Sequence, residues 1–111
     1  MTREEETKNA IGERVAEIEM VTFMTNEFDD ETINSLDDET LKELRTSFKG
    51  LLSNTPKLKM LSMIVKFVDP ELTERFNKAI EESNTALTNT IKRIDDKLVG
   101  TTTVNNIITN D

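Results

Sequence analysis

The sequence predicts an all-α fold, a small helical bundle with long N- and C-terminal helices and an extended C-terminal tail. Two observations carry that expectation. Apolar residues recur at helical spacing through most of the 111 residues, and acid-led cap signatures stand at Asp29, Asp37 and Asp69-Pro70. A chain of this length makes a single domain with a modest core. The helical domain is expected over 1–100 and the extended or disordered tail over 101–111.

The first helix is expected from Thr2 to Asn26. Thr2 and Glu5 have capping-box spacing, and Glu4, Glu5 and Glu6 sit where the helix dipole favours negative charge. Ile11, Val15 and Ile18 form a stripe that Val21 or Thr22 extends. Met20, Phe23 and Met24 widen it, so this end is expected to be the better buried one. Gly12 costs about 1 kcal/mol against Ala inside a helix, which a close helix crossing would explain and chance would too.

A short repeat follows, Phe28-Asp-Asp-Glu-Thr-Ile and then Leu36-Asp-Asp-Glu-Thr-Leu. Each copy reads as a helix start, with Asp29 or Asp37 as N-cap and acids in the first turn. An apolar residue before each cap can staple to one inside, Phe28 to Ile33 and Leu36 to Leu41. Calcium loops need alternating oxygen ligands, a Gly and a distal Glu, which these clusters lack. The first copy makes a turn or two of helix to Leu36. The second starts a helix with Leu41, Leu44, Phe48, Leu51 and Leu52 on one face.

Thr55 as cap with Pro56 at the first helical position signals a restart. Leu58 to Val68 is apolar on most sides and predicts a central core helix or part of an oligomer interface. Asp69-Pro70 then opens a long last helix to about Val99. Its seam is Leu72, Phe76, Ile80, Ser83, Leu87, Thr90 or Ile91, Ile94 and Leu98. The weak helix formers from Ser83 to Thr90 allow a kink, and Gly100 is a natural stop. The first and last helices are expected to extend past the bundle. The tail, with Val104, Ile107 and Ile108 among Thr and Asn, suits an extended contact element.

Composition narrows the function. With no Cys there are no disulfides or thiol nucleophiles, and with no His the usual neutral-pH acid/base is missing. No apolar run approaches the ~20 residues of a membrane helix, and the acidic N-terminus lacks a signal-peptide pattern. A soluble, cytoplasmic protein is expected. Its net charge of −8 is uneven. Residues 1–39 hold 13 acids and 3 bases, and residues 40–111 hold 9 acids and 11 bases. Within 40–68, Lys42, Arg45, Lys49, Lys57, Lys59 and Lys66 face Glu43 alone. Attraction between the two parts, within the chain or between copies, accounts for this pattern better than nucleic-acid binding does, since no Tyr or Trp offers stacking. Arg45, Lys49 and Lys42 are expected on the solvent side of their helix.

Catalysis finds no foothold. Glu71 and Glu74 have the spacing of carboxylate-only magnesium helices, but Asp95 and Asp96 lack a mate three residues earlier. Glu13 and Glu17 share a face at ordinary surface spacing. No Gly-rich turn supplies phosphate or oxyanion donors. No enzyme, cofactor or metal is expected. Met20 and Met24 on the first helix, with Met60 and Met63, either line an adaptable groove or fill gaps in an ordinary core.

The expected function is therefore a non-enzymatic protein–protein interaction or assembly component that binds a protein partner, itself, or both. The partner-binding candidates are Met20, Phe23, Met24, Met60, Met63, Phe67, Val104, Ile107 and Ile108. Size and composition fit a small structural or accessory protein of a virus or phage. The rival reading is an acidic inhibitor whose carboxylates occupy a basic site on a nucleic-acid-binding partner.

Overall fold

The computed structural model describes residues 2–110, with side chains over 2–100. It consists of α1 (Arg3–Asn26), α2 (Asp30–Ser35), α3 (Asp38–Ser53), α4 (Thr55–Val65) and α5 (Pro70–Asn110). The all-α expectation holds.

Most helix starts form as the sequence dictates. The Thr2 hydroxyl accepts the Glu5 amide at 3.1 Å, and Asp29 and Asp37 accept the Thr32 and Thr40 amides at 2.8 Å each. Asp69 Oδ1 accepts the amides of Glu71 and Leu72 at 3.1 and 3.2 Å, with Pro70 in the position whose missing N–H costs nothing. The expected cap at Thr55 is different. Thr55 is the first helical residue, Asn54 stands before it without a side-chain cap, and the Thr55 hydroxyl instead donates to Asn84 Oδ1 at 3.1 Å. Because Asn54 is itself in the right-handed helical region, α4 continues from α3 across a single break residue, and no fresh cap is needed.

Everything packs on α5. Pairs between α3–α4 and α5 run in opposite order along the chain: Arg45 with Asp95, Thr55 with Asn84, Ser62 with Asn77. The broken rod α3–α4 is thus antiparallel to α5. The pairs from α1 and the segment after it run in the same order as α5, Glu19 with Arg75 and then the Phe28 carbonyl with Arg93. The result is a three-rod bundle with α2 as a short brace across one end.

Two apolar clusters fill it. Near the start of α5, Val15 and Ile18 meet Val65, Phe76, Ala79 and Ile80. Further along, Ile33, Leu41 and Phe48 meet Leu87, Ile91 and Ile94, with Phe28 and Leu36 packed alongside. The expected staples therefore close onto the core, and Phe28 meets Phe48 edge to face at 5.8 Å between centroids.

Several expectations are corrected. The central helix is α5, not Leu58–Val68: of α4 only Ser62 and Val65 are buried, and the helix ends at Val65 with a turn to Val68. The later end of α1 is the better buried one, with Val15, Ile18 and Thr25 inward, but Met20, Phe23 and Met24 are not part of its buried face. At about 100° per residue, the buried line Val15, Ile18, Thr25 leaves those three on the opposite side, and all are more than half exposed. No close crossing explains Gly12, where a Cβ would meet nothing within 4 Å. Arg45 is half-buried and paired with Asp95 at 2.6 Å, not on the solvent side. α5 runs unbroken through Ser83–Thr90, where Ser83 and Thr90 are buried. It also passes Gly100, which is helical and does not stop it. The expected contact role of Val104, Ile107 and Ile108 lies outside the residues whose side chains are described.

The molecule is long, 70 × 22 × 18 Å, with a radius of gyration of 18.4 Å. A compact chain of this length would have about 13 Å. At the start of α1, residues 3–7 have no buried side chain.

Candidate functional site: two exposed apolar helix faces

Polar side chains pin each rod to α5 and so decide which faces are left outside. Ser62 donates a hydrogen bond to Asn77 and Thr55 to Asn84, which turns Ser62 and Val65 of α4 inward. With that side fixed, Met60, Met63 and Ile64 stand on the far side within an arc of about 100°, and Phe67 follows in the turn after the helix. Met63 is 70% and Phe67 91% exposed. Lys59 and Lys66 border this face on one edge and Lys57 on the other, all three exposed.

The outer face of α1 has the same build with the opposite charge. Phe23, Met20 and Met24 lie within an arc of about 100° opposite the buried line, with Glu13, Glu17 and Glu27 exposed among them. Glu13, Ala16, Glu17 and Met20 form one open strip of this face, lowest at the small Ala16 side chain.

All six described partner-binding candidates therefore sit on these two faces and are solvent-exposed; none fills the core. Ile64 belongs with them and is missed by a reading of α4 as all-round core. The signal that would have found it is the spacing from Ser62, one of the few polar residues in that run. A separate groove of about 390 Å³ lies between the rods, with Ile18, Val21, Leu58, Leu61 and Ile80 among its walls.

The acids of the first third are partly engaged. Glu19 pairs with Arg75, Nη2 to Oε1 at 2.6 Å and Nε to Oε2 at 3.3 Å. The Arg75 hydrogen bond holds the Glu19 carboxyl below its ordinary range. Asp30 accepts both Nε and Nη2 of Arg93 at 3.0 and 2.7 Å, and Lys97 Nζ donates to the last carbonyls of the α2 segment, Ile33 and Leu36, at 2.8 and 2.9 Å. Hydrogen bonds from Thr32 and Thr40 lower the carboxyls of Asp29 and Asp37. The acidic third is thus tied to cations of α5, not to the lysines of α4.

Glu71 and Glu74 line a hollow that also contains Arg75 and Lys78, so cations of the chain already occupy that carboxylate neighbourhood. Among the described residues no three acids gather as a metal site would require, and no helix is long and apolar enough to cross a membrane.

Comparison of the chain with protein-family profiles, with curated proteins and with solved structures found no match.

Proposed function

We propose that the chain is a non-enzymatic interaction or assembly component that works in the cytoplasm through the outer faces of α1 and α4. One observation carries this reading: seven large apolar side chains stand more than half exposed on α1, on α4 and in the turn after α4, and the inner faces of both helices are already packed. Isolated exposed apolar residues are ordinary, but clustered ones mark contact surfaces. Methionine suits such a surface because its flexible thioether adapts to the shape it meets. A small virion or phage accessory protein is a role compatible with this build.

The acidic-inhibitor reading has less support. Asp29, Asp30, Asp37 and Glu19 are each committed to a cap or an ion pair. The two readings part on salt. Binding through the apolar faces persists as salt rises, whereas electrostatic capture weakens steeply. Capture by wild type and by a Phe23→Ser, Met63→Ser, Phe67→Ser variant, each at low and high salt, tests this. Salt-resistant binding lost in the variant is the expected result; binding that the variant keeps and salt abolishes refutes it.

A further inference from the structure

We propose that the partner of the α4 face is the α1 face of a second copy of this chain; this rests on the reading of both faces as contact surfaces. The argument is charge complementarity around two matching apolar centres. The α1 face, with Met20, Phe23 and Met24, is bordered by the exposed Glu13, Glu17 and Glu27, and the α4 face, with Met60, Met63, Ile64 and the following Phe67, by the exposed Lys57, Lys59 and Lys66.

Within one molecule these two faces do not meet. Each lies opposite the side with which its helix packs on α5, and the ion pairs of the acidic third go to Arg75 and Arg93. Among the described residues, Lys57, Lys59 and Lys66 make no ion pair. Complementarity that folding leaves unused is available to another copy. In the pairing, Phe67 seats over the low point at Ala16, and lysines that flank it approach Glu13 and Glu17.

Area sets the expected strength. Side chains of this size, more than half exposed, present on the order of 900 Å² over the two faces together, below the 1,200–2,000 Å² of a stable interface. A single α4-on-α1 contact is therefore weak and reversible. It becomes firm when each molecule uses both faces, either reciprocally in a pair or in a chain of copies.

The test is sedimentation of the full chain across the micromolar range at physiological salt, with reciprocal charge reversal. One variant carries Lys57→Glu, Lys59→Glu and Lys66→Glu; the other carries Glu13→Lys, Glu17→Lys and Glu27→Lys. All six positions are exposed, so helical circular dichroism should be retained. Each variant alone should associate about a hundredfold more weakly than wild type, as a few like-charge oppositions require, and an equimolar mixture should associate again. A control reversing Lys42, Lys49 and Lys92, outside both faces and equal in net charge to the first variant, should behave as wild type. Phe67→Ser supplies a test free of charge change and should weaken association too.

A wild-type chain that stays monomeric overturns the proposal, as does a mixture that fails to restore association. So does a wild type that binds anionic vesicles through the α4 lysines without self-associating. If the wild type is monomeric yet shows salt-resistant capture of another protein through these faces, self-pairing fails while the interaction reading stands. If it shows neither, both fail.

Discussion

Phe67 and Phe76 are nine residues apart and have opposite environments, which makes them a matched test of the packing. Phe76 is 1% exposed and is enclosed by Val15, Ile18, Val65, Ala79 and Ile80. Truncating a Phe in such a closed site costs about 3–5 kcal/mol, because the lost transfer energy adds to an unfilled cavity. A domain of this size has a total stability on the order of 5–15 kcal/mol. At about 4–8 °C per kcal/mol, Phe76→Ala should lower Tm by at least about 12 °C. Phe67 is 91% exposed and ends the outer face of α4. In dilute solution Phe67→Ser should stay within about 0.5 kcal/mol of wild type.

Thermal melts followed by far-UV circular dichroism read both variants. Dilution matters, since association through Phe67 would add stability by mass action and make Tm depend on concentration. A dilute Phe67→Ser variant that melts as early as Phe76→Ala would mean that α4 packs inward and that the exposed face does not exist. A Phe76→Ala variant losing under 1 kcal/mol would remove α5 from the centre of the fold.

Asp69→Ala should cost about 0.5–2 kcal/mol in the same melts and Asp69→Asn much less, because the asparagine oxygen still accepts the Glu71 and Leu72 amides. The carboxyls of Glu19, Asp29 and Asp37 are held below their ordinary values of 4.5, 3.8 and 3.8. Their contribution is fully present above those values and is lost as pH falls through the lower folded ones; Asp37→Asn should flatten the acid limb of a Tm-against-pH curve, and an unchanged limb would contradict the assignment. Gly12→Ala should stabilise by about 0.5–1 kcal/mol, since a Cβ there has open space and Gly12 lies in helix. A destabilised variant would show that α1 is crossed closely at that point.

The helix starts were legible because caps are local. Asp29, Asp37 and Asp69 each bond an amide two or three residues away, and no distant part of the chain has a say in that. The seam of α5 was legible for a related reason: Phe76, Ile80, Leu87, Ile91 and Ile94 outnumber any competing stripe. The inward side of α4 was not. Leu58 and Val65 define one line and Met60, Met63, Ile64 and Phe67 another, and both are apolar. The choice is made by Ser62 and Thr55, whose partners Asn77 and Asn84 lie on another helix. The inward line near the end of α1 was hidden in the same way, because it passes through Thr25, a type that transfer scales rank below Phe23 and Met24. Two faces competing for one partner surface are resolved only when that surface exists.

The choice of residues on the two sides has a consequence for function. Where the rods press on α5, the buried positions include Thr25, Ser62, Thr73, Ala79, Ser83, Ala86 and Thr90. Small side chains let helices approach closely, and the hydroxyls of buried helical residues find local partners, as Thr73 does in donating to the Asp69 carbonyl at 3.2 Å. The larger Met20, Phe23, Met24, Met60, Met63 and Phe67 stand outside, where they add nothing to the stability of a lone molecule and raise its tendency to stick. The inner seam thus holds three rods in a fixed arrangement, while the bulky apolar area is held on the outer faces. Fixed in this way, the backbones of those faces need no ordering when they meet a partner, and the cost that remains is the rotamer freedom of the exposed methionines.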